Sequence, residues 1–184
     1  MICFVVALPS EARPLAGHYG LKRLSQSHPF PVYKGENQCL VVSGTGKIHA
    51  VQAANLLHDF LGGCRNDVWI NVGIGGHCER PVGEGILAHK ITDRASGESW
   101  YPPLVIDLPC ETESVLTVKQ AETYYGDSSV YDMEASGFYQ AAQRFSTLEL
   151  VQCFKVISDN RVFSHKQVTP RLAQNLIEKN LAAV

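Results

Sequence analysis

Apolar runs at residues 2–8, 38–43, 68–72 and 150–158 alternate along the chain with stretches of helical periodicity, and that alternation limits the fold more than any other feature. Short runs with so few charges read as strands buried on both faces, which helices must cover. The clearest helix spans 47–61, where Ile48, Val51, Ala54, Leu57 or His58, and Leu61 share one face and Gly62-Gly63 ends the pattern. Ser10 is placed to cap a short helix reaching 18–20, with Pro14 limiting its regularity. Further strands are predicted at 32–33, 85–91 and 115–118, while 94–114, with Pro102, Pro103 and Pro109, reads as a long loop. Thr169 before Pro170 opens a last helix whose apolar face carries Leu172, Leu176, Ile177 and Leu181. Strands and helices interleaved in this way make an α/β fold. With 184 residues and neither linker nor repeat, a single domain over 1–184 is expected.

Composition narrows the function classes. Sixteen Lys and Arg against eighteen Asp and Glu leave a net charge of -2 and no basic block to track a phosphate backbone, so nucleic acid is not an expected partner. The six cysteines, Cys3, Cys39, Cys64, Cys78, Cys110 and Cys153, form no C-x-x-C pair. Cys3, Cys39 and Cys153 fall inside apolar runs, as reduced core residues of a cytoplasmic protein do, and no metal site is predicted. The opening "MICFVVAL" lacks a basic flank, and Pro9, Ser10 and Glu11 break it too early for a signal peptide or a spanning helix. No membrane partner is expected.

Glycines and acids gather where the predicted strands end. "SGTGK" at 43–47 joins a strand to a helix N-terminus, where Gly44 and Gly46 let backbone N–H groups approach an anion or a sugar hydroxyl. It is not a Walker A loop, because Val41 and Ile48 stand where that motif needs glycine and a hydroxyl residue, nor a dinucleotide fingerprint, whose third glycine would fall on His49. Taken alone, it reads best as a tight turn. "NVGIGG" at 71–76 reads as a second glycine-rich turn, at a strand end of the kind that binds ligands in open α/β sheets, although close packing explains its glycines equally well.

Three acids stand at these margins. Glu11 follows the first strand and suits the dipole of a first helical turn. In "VYDMEASGFY" at 130–139, Asp132 is the expected N-cap, and Glu134 shares a buried stripe with Phe138, Ala141, Ala142 and Phe145. A carboxylate facing a core needs hydrogen-bond donors or a cavity in which a ligand supplies them. Asp159 ends an apolar strand in "VISDN", where Asp-Asn is the usual mark of a turn. Each acid has a structural explanation by itself; their recurrence at the margins of buried elements marks a candidate site.

Taken in order, the first strand with Glu11, "SGTGK", "GIGG" with "PVGEGILAHKITD", "YDMEASGFY" and "KVISDN" resemble the nucleoside phosphorylase and nucleosidase family over nearly the whole chain. The resemblance is greatest to the methylthioadenosine/S-adenosylhomocysteine nucleosidases and the related futalosine hydrolases, and "DMEA" and "ISD" are its specific parts. It implies a mixed central β-sheet flanked by helices and an enzyme that hydrolyses the N-glycosidic bond of a purine-type nucleoside without metal or organic cofactor. By the same resemblance, Glu11 holds the attacking water, Asp159 gives a proton to the purine N7, Met133 packs on the sugar and Glu134 accepts from the ribose hydroxyls. Ser43, Gly44, Gly46, Gly75, Gly76 and Ser158 complete the implied binding set, and a homodimer or larger homo-oligomer is implied as well. The alternatives are a phosphorylase that uses phosphate, with Arg13, Lys47, Arg65 and Arg80 as candidate anion ligands, and a member that binds nucleosides without turnover. Glu11 stands where the family's phosphorylases place an arginine, which favours water. The segment between Asp93 and Val115 is shorter than in the family.

Overall fold

In β1 (Ile2–Val6), Cys3 and Val5 point into one hydrophobic core while Phe4 and Val6 point into another, and all four are wholly buried. This period-two division sets the architecture, because each face of the strand needs its own helical cover. The computed structural model describes residues 1–25, 29–105, 110–122 and 124–184. β1 lies between two parallel neighbours, β4 (Gln38–Val42) and β5 (Val68–Gly76). Helices α1 (Pro9–His18) and α4 (Pro170–Lys179) cover the Phe4 face with Ala12, Leu15, Leu176 and Ile177. On the Cys3 face lie α2 (Lys47–Leu61) and α3 (Ala135–Ala142), with Ala50, Ala53, Leu57 and Phe138 turned inward.

Beyond β4, the sheet continues through β3 (Val32–Lys34) to a short edge strand, β2 (Lys22–Arg23). On the other side β5 pairs in parallel with β10 (Val151–Asp159), which pairs antiparallel with β6 (Gly85–Asp93). β6 carries the short β7 (Ser99–Trp100) and runs parallel to β8 (Glu111–Thr117). β8 pairs with β9 (Val130–Asp132), and Tyr131 of β9 pairs back onto Gly76 of β5. The sheet is therefore mixed, as expected, and the strands β5, β10, β6, β8 and β9 close on themselves into a ring.

Several local expectations are corrected. Residues 71–76 are not a turn but the second half of β5, and glycine is needed there because neighbouring groups press on the strand. The segment 94–114 holds β7 and the start of β8 rather than one continuous loop; Pro109 lies outside the described residues. α1 begins two residues earlier, with Leu8 at its cap and Pro9 in its first turn, so Ser10 is inside the helix. Ile48 is 68% exposed, because α2 seats Ala50, Ala53, Ala54 and Leu57 against the sheet. Glu134 occupies the cap position of α3, and Asp132 is the last residue of a strand. Thr169 does cap α4, its side chain accepting from the Leu172 N–H at 3.2 Å. Among the described residues, no helix is long and apolar enough to cross a membrane.

Candidate active site

The carboxyl ends of β1, β5 and β10 and the junction of β9 with α3 meet at a cavity of about 230 Å³. Glu11, Met133, Glu134 and Asp159 line it together with Gly75, Gly76 and Ser158. Ser43, Gly44 and Gly46 do not. The Ser43 hydroxyl is turned to backbone, donating to the Gly44 carbonyl at 2.7 Å, and Gly44 is bonded to Ala7. Gly46 acts at one remove, through its N–H.

Glu11 is set by the turn that leads from β1 into α1. Its Oε2 accepts from the N–H groups of Ala7 and Leu8 at 2.9 and 2.8 Å, and its Oε1 accepts from the Ile74 N–H at 3.1 Å. The side chain thus ties α1 to β5 with backbone donors alone. Burial pushes its carboxyl up, against the pull of those N–H groups and of the Lys155 charge. Gly73 makes room for this arrangement: a Cβ there would lie 3.3 Å from both Glu11 Oε1 and Lys155 Nζ.

Glu134 is 7% exposed, and its Oε1 accepts from the Gly46 N–H at 2.7 Å. Among the described residues that is its only hydrogen-bond donor, although a carboxylate can accept about four hydrogen bonds. Burial, then the neighbouring Asp132 charge, pushes its carboxyl up to about 7, with Lys155 and the Gly46 N–H opposing. Asp132, read from the sequence as a cap, does accept from the Glu134 and Ala135 N–H groups at 3.2 and 2.7 Å. Its larger partner is Lys155, whose Nζ lies 2.7 Å away with both side chains at most 1% exposed. The Thr117 hydroxyl donates to the other Asp132 oxygen at 2.8 Å. Although burial works against its charge, Asp132, then Cys153 and Glu134, hold the Lys155 ammonium above its ordinary range.

Lys155 is the buried charge behind the site that sequence reasoning missed. Its signal was a lone lysine in the apolar run of β10. Tyr125 was missed as well: it lines the cavity and donates its hydroxyl to Asp159 Oδ2. Asp159 is 6% exposed and sits within β10, not in a turn; the Ser158 hydroxyl donates to its Oδ1 at 2.5 Å. The turn reading fits Asn160 instead, whose side chain accepts from the Val162 and Phe163 N–H groups at 2.9 Å each.

The candidate anion ligands lie elsewhere. Lys47 pairs with Asp93, Arg80 pairs with Glu84 and Glu113, and Arg13 and Arg65 are exposed. Among the described residues, no lysine or arginine lines the 230 Å³ cavity. A second cavity of about 440 Å³, holding Lys47, Asp93 and Lys119, adjoins it and shares Thr45 and Val118.

The state of Glu134 predicts how ligand binding depends on pH. Hydroxyl donors favour the ionised carboxylate, so a ligand that offers them to Glu134 should bind up to ~10-fold more tightly per pH unit as pH rises toward 7, then level off. Stability runs the other way: the contribution of a raised carboxyl is full below its ordinary value of 4.5 and is lost as pH rises to about 7. Calorimetric titration across this range checks the first effect, and Glu134→Gln should flatten it.

No protein-family model and no curated protein matches the chain. Solved structures do. A 5′-methylthioadenosine/S-adenosylhomocysteine nucleosidase from S. pneumoniae, with a transition-state inhibitor, is 18% identical over 99% of this chain and 98% of that one, with a TM-score of 0.71. The 5′-methylthioadenosine nucleosidase of Arabidopsis thaliana is 16% identical over 98% and 94% of the two chains, at 0.77. The nucleosidase of Colwellia psychrerythraea in complex with adenine is 15% identical over 96% and 93%, at 0.70. The chain shares the fold of these proteins from end to end.

Proposed function

We propose that the chain is a purine nucleosidase, hydrolysing the N-glycosidic bond of a purine-type nucleoside to free base and sugar. The observation that carries this reading is Glu134, a buried carboxylate with one donor among the described residues, facing a cavity that also holds Glu11 and Asp159. Ribose hydroxyls would supply its missing partners, and a site built on such bonds discriminates strongly against analogues that lack them. Asp159 gives its carboxyl proton to N7 while the electron pair of the C1′–N9 bond leaves with the base, which departs neutral. Water adds to C1′ and passes a proton to Glu11. The carboxylates of Glu11 and Glu134 favour the positive charge that develops on the sugar, and no group outside the chain is needed for these steps. Met133 would pack on the sugar, with Gly75, Gly76 and Ser158 around it; Ser43, Gly44 and Gly46 would serve by shaping the turn that holds Glu134.

Water is favoured over phosphate because the cavity presents a carboxylate at the nucleophile's side and no lysine or arginine among the described residues. The three nucleosidases of the same fold support the substrate class, one of them holding adenine. The reading includes assembly into a homodimer or larger, consistent with the exposed Ile48, Tyr101 and Val105, and a cytoplasmic location, consistent with six free cysteines.

Base release from a panel of purine nucleosides, followed by chromatography, tests the proposal. Release in phosphate-free buffer is the expected result. Release only when phosphate is added would make the protein a phosphorylase, and tight binding without release would leave a nucleoside-binding protein.

A further inference from the structure

We infer that Tyr125 is a positioning residue for proton delivery by Asp159, its hydroxyl holding Oδ2 and stabilising the carboxylate that remains once the proton has gone to the base. The inference rests on the nucleosidase reading. Its first observation is the contact itself, a buried hydroxyl donating to a buried carboxyl at the cavity wall. The second comes from the facing strand. A Cβ on Gly76 would lie 2.6 Å from the Tyr125 hydroxyl oxygen and 2.7 Å from Asp159 Oδ2, so β5 carries no side chain where this pair sits. The third is how firmly the tyrosine is held. Its ring packs on Tyr131 with centroids 5.4 Å apart, and its carbonyl accepts from Arg161 Nη2 at 3.0 Å, which ties the loop to the chain just past Asp159.

The chemistry follows from the difference between the two forms of Asp159. During base departure the O–H proton of its carboxyl moves to N7, the C1′–N9 pair goes to the base, and a carboxylate is left. A hydroxyl bonds a carboxylate more strongly than it bonds a neutral carboxyl, so the Tyr125 contact strengthens along the reaction and lowers the barrier. Tyr125 keeps its own proton, because burial and the Asp159 partner push its hydroxyl well above the usual range. Ser158 serves the other oxygen in the same sense.

Tyr125→Phe tests this with two substrates: the purine nucleoside that the wild type turns over, and its N7-methylated form, whose base leaves neutral without receiving a proton. The expected result is a kcat about 10- to 100-fold lower on the first substrate with KM nearly unchanged, and little loss on the second. An equal fall on both substrates, a loss confined to KM, or full retention of kcat would overturn the inference while leaving the nucleosidase reading intact. A wild type that releases no base from any nucleoside would overturn both.

Discussion

Asp159→Asn should reduce base release by about 10²- to 10⁴-fold, the range that a positioned general acid contributes. The amide matches the carboxyl in shape but has no acidic proton for N7. It also meets two hydroxyls that now donate to the carboxyl oxygens, Ser158 at Oδ1 and Tyr125 at Oδ2. One of them must turn to accept from the amide NH₂, which hydroxyls can do, so the fold should survive and nucleoside affinity should change far less than kcat. Steady-state rates set beside the dissociation constant of a non-hydrolysable analogue separate the two effects. Undiminished kcat in this variant would remove Asp159 from the chemistry.

The second large effect concerns stability. Lys155→Met should destabilise the protein by roughly 3–5 kcal/mol, because it strands the Asp132 charge in a site with almost no access to water. Denaturant titration measures this directly. Adding Asp132→Asn to the same chain should recover much of the loss, since the remaining amide is neutral: its carbonyl oxygen can still accept from the Ala135 N–H, and its NH₂ can donate to the Thr117 hydroxyl oxygen once that hydroxyl turns. Base release should not recover with it. Lys155 opposes the upward push that burial exerts on Glu11, so without it that acid holds its proton more readily. A double variant that regained activity along with stability would reduce Lys155 to a structural partner of Asp132.

These residues also show what a sequence exposes and what it conceals. The strands at β1, β4 and β10 were legible because buried strands leave apolar runs, and α2 was bounded correctly because Gly62 adopts the left-handed cap that ends a helix. On the inward face of α2, Ala54 and Leu57 are buried and Val51 and Leu61 pack against the core as expected; Ile48 alone of that face was misplaced, because hydrophobicity favours isoleucine whereas close packing of helix on sheet favours alanine, here Ala50 and Ala53. Glycine in "NVGIGG" suggested a turn; its actual cause is the approach of side chains from far along the chain, Glu11 and Lys155 at Gly73 and Tyr125 and Asp159 at Gly76. The three acids could be picked out because each follows or ends a buried element. Their meeting at one cavity is tertiary, and so is the pairing of Lys155 with Asp132, which local periodicity does not encode. Tyr125 lies in a loop with no periodic pattern to single it out.

The ring formed by β5, β10, β6, β8 and β9 bears on how the molecule behaves in crowded solution. Unpaired strand edges are templates on which other chains can add, and closure removes them from the longest strands of the sheet. The exposed backbone rims fall to β2 and β7, each two residues long, and β2 consists of Lys22 and Arg23. Rims this short, one of them charged, give fibril growth little to extend. Association between copies is then left to helix and loop surfaces, such as the stretch of α2 that carries the exposed Ile48.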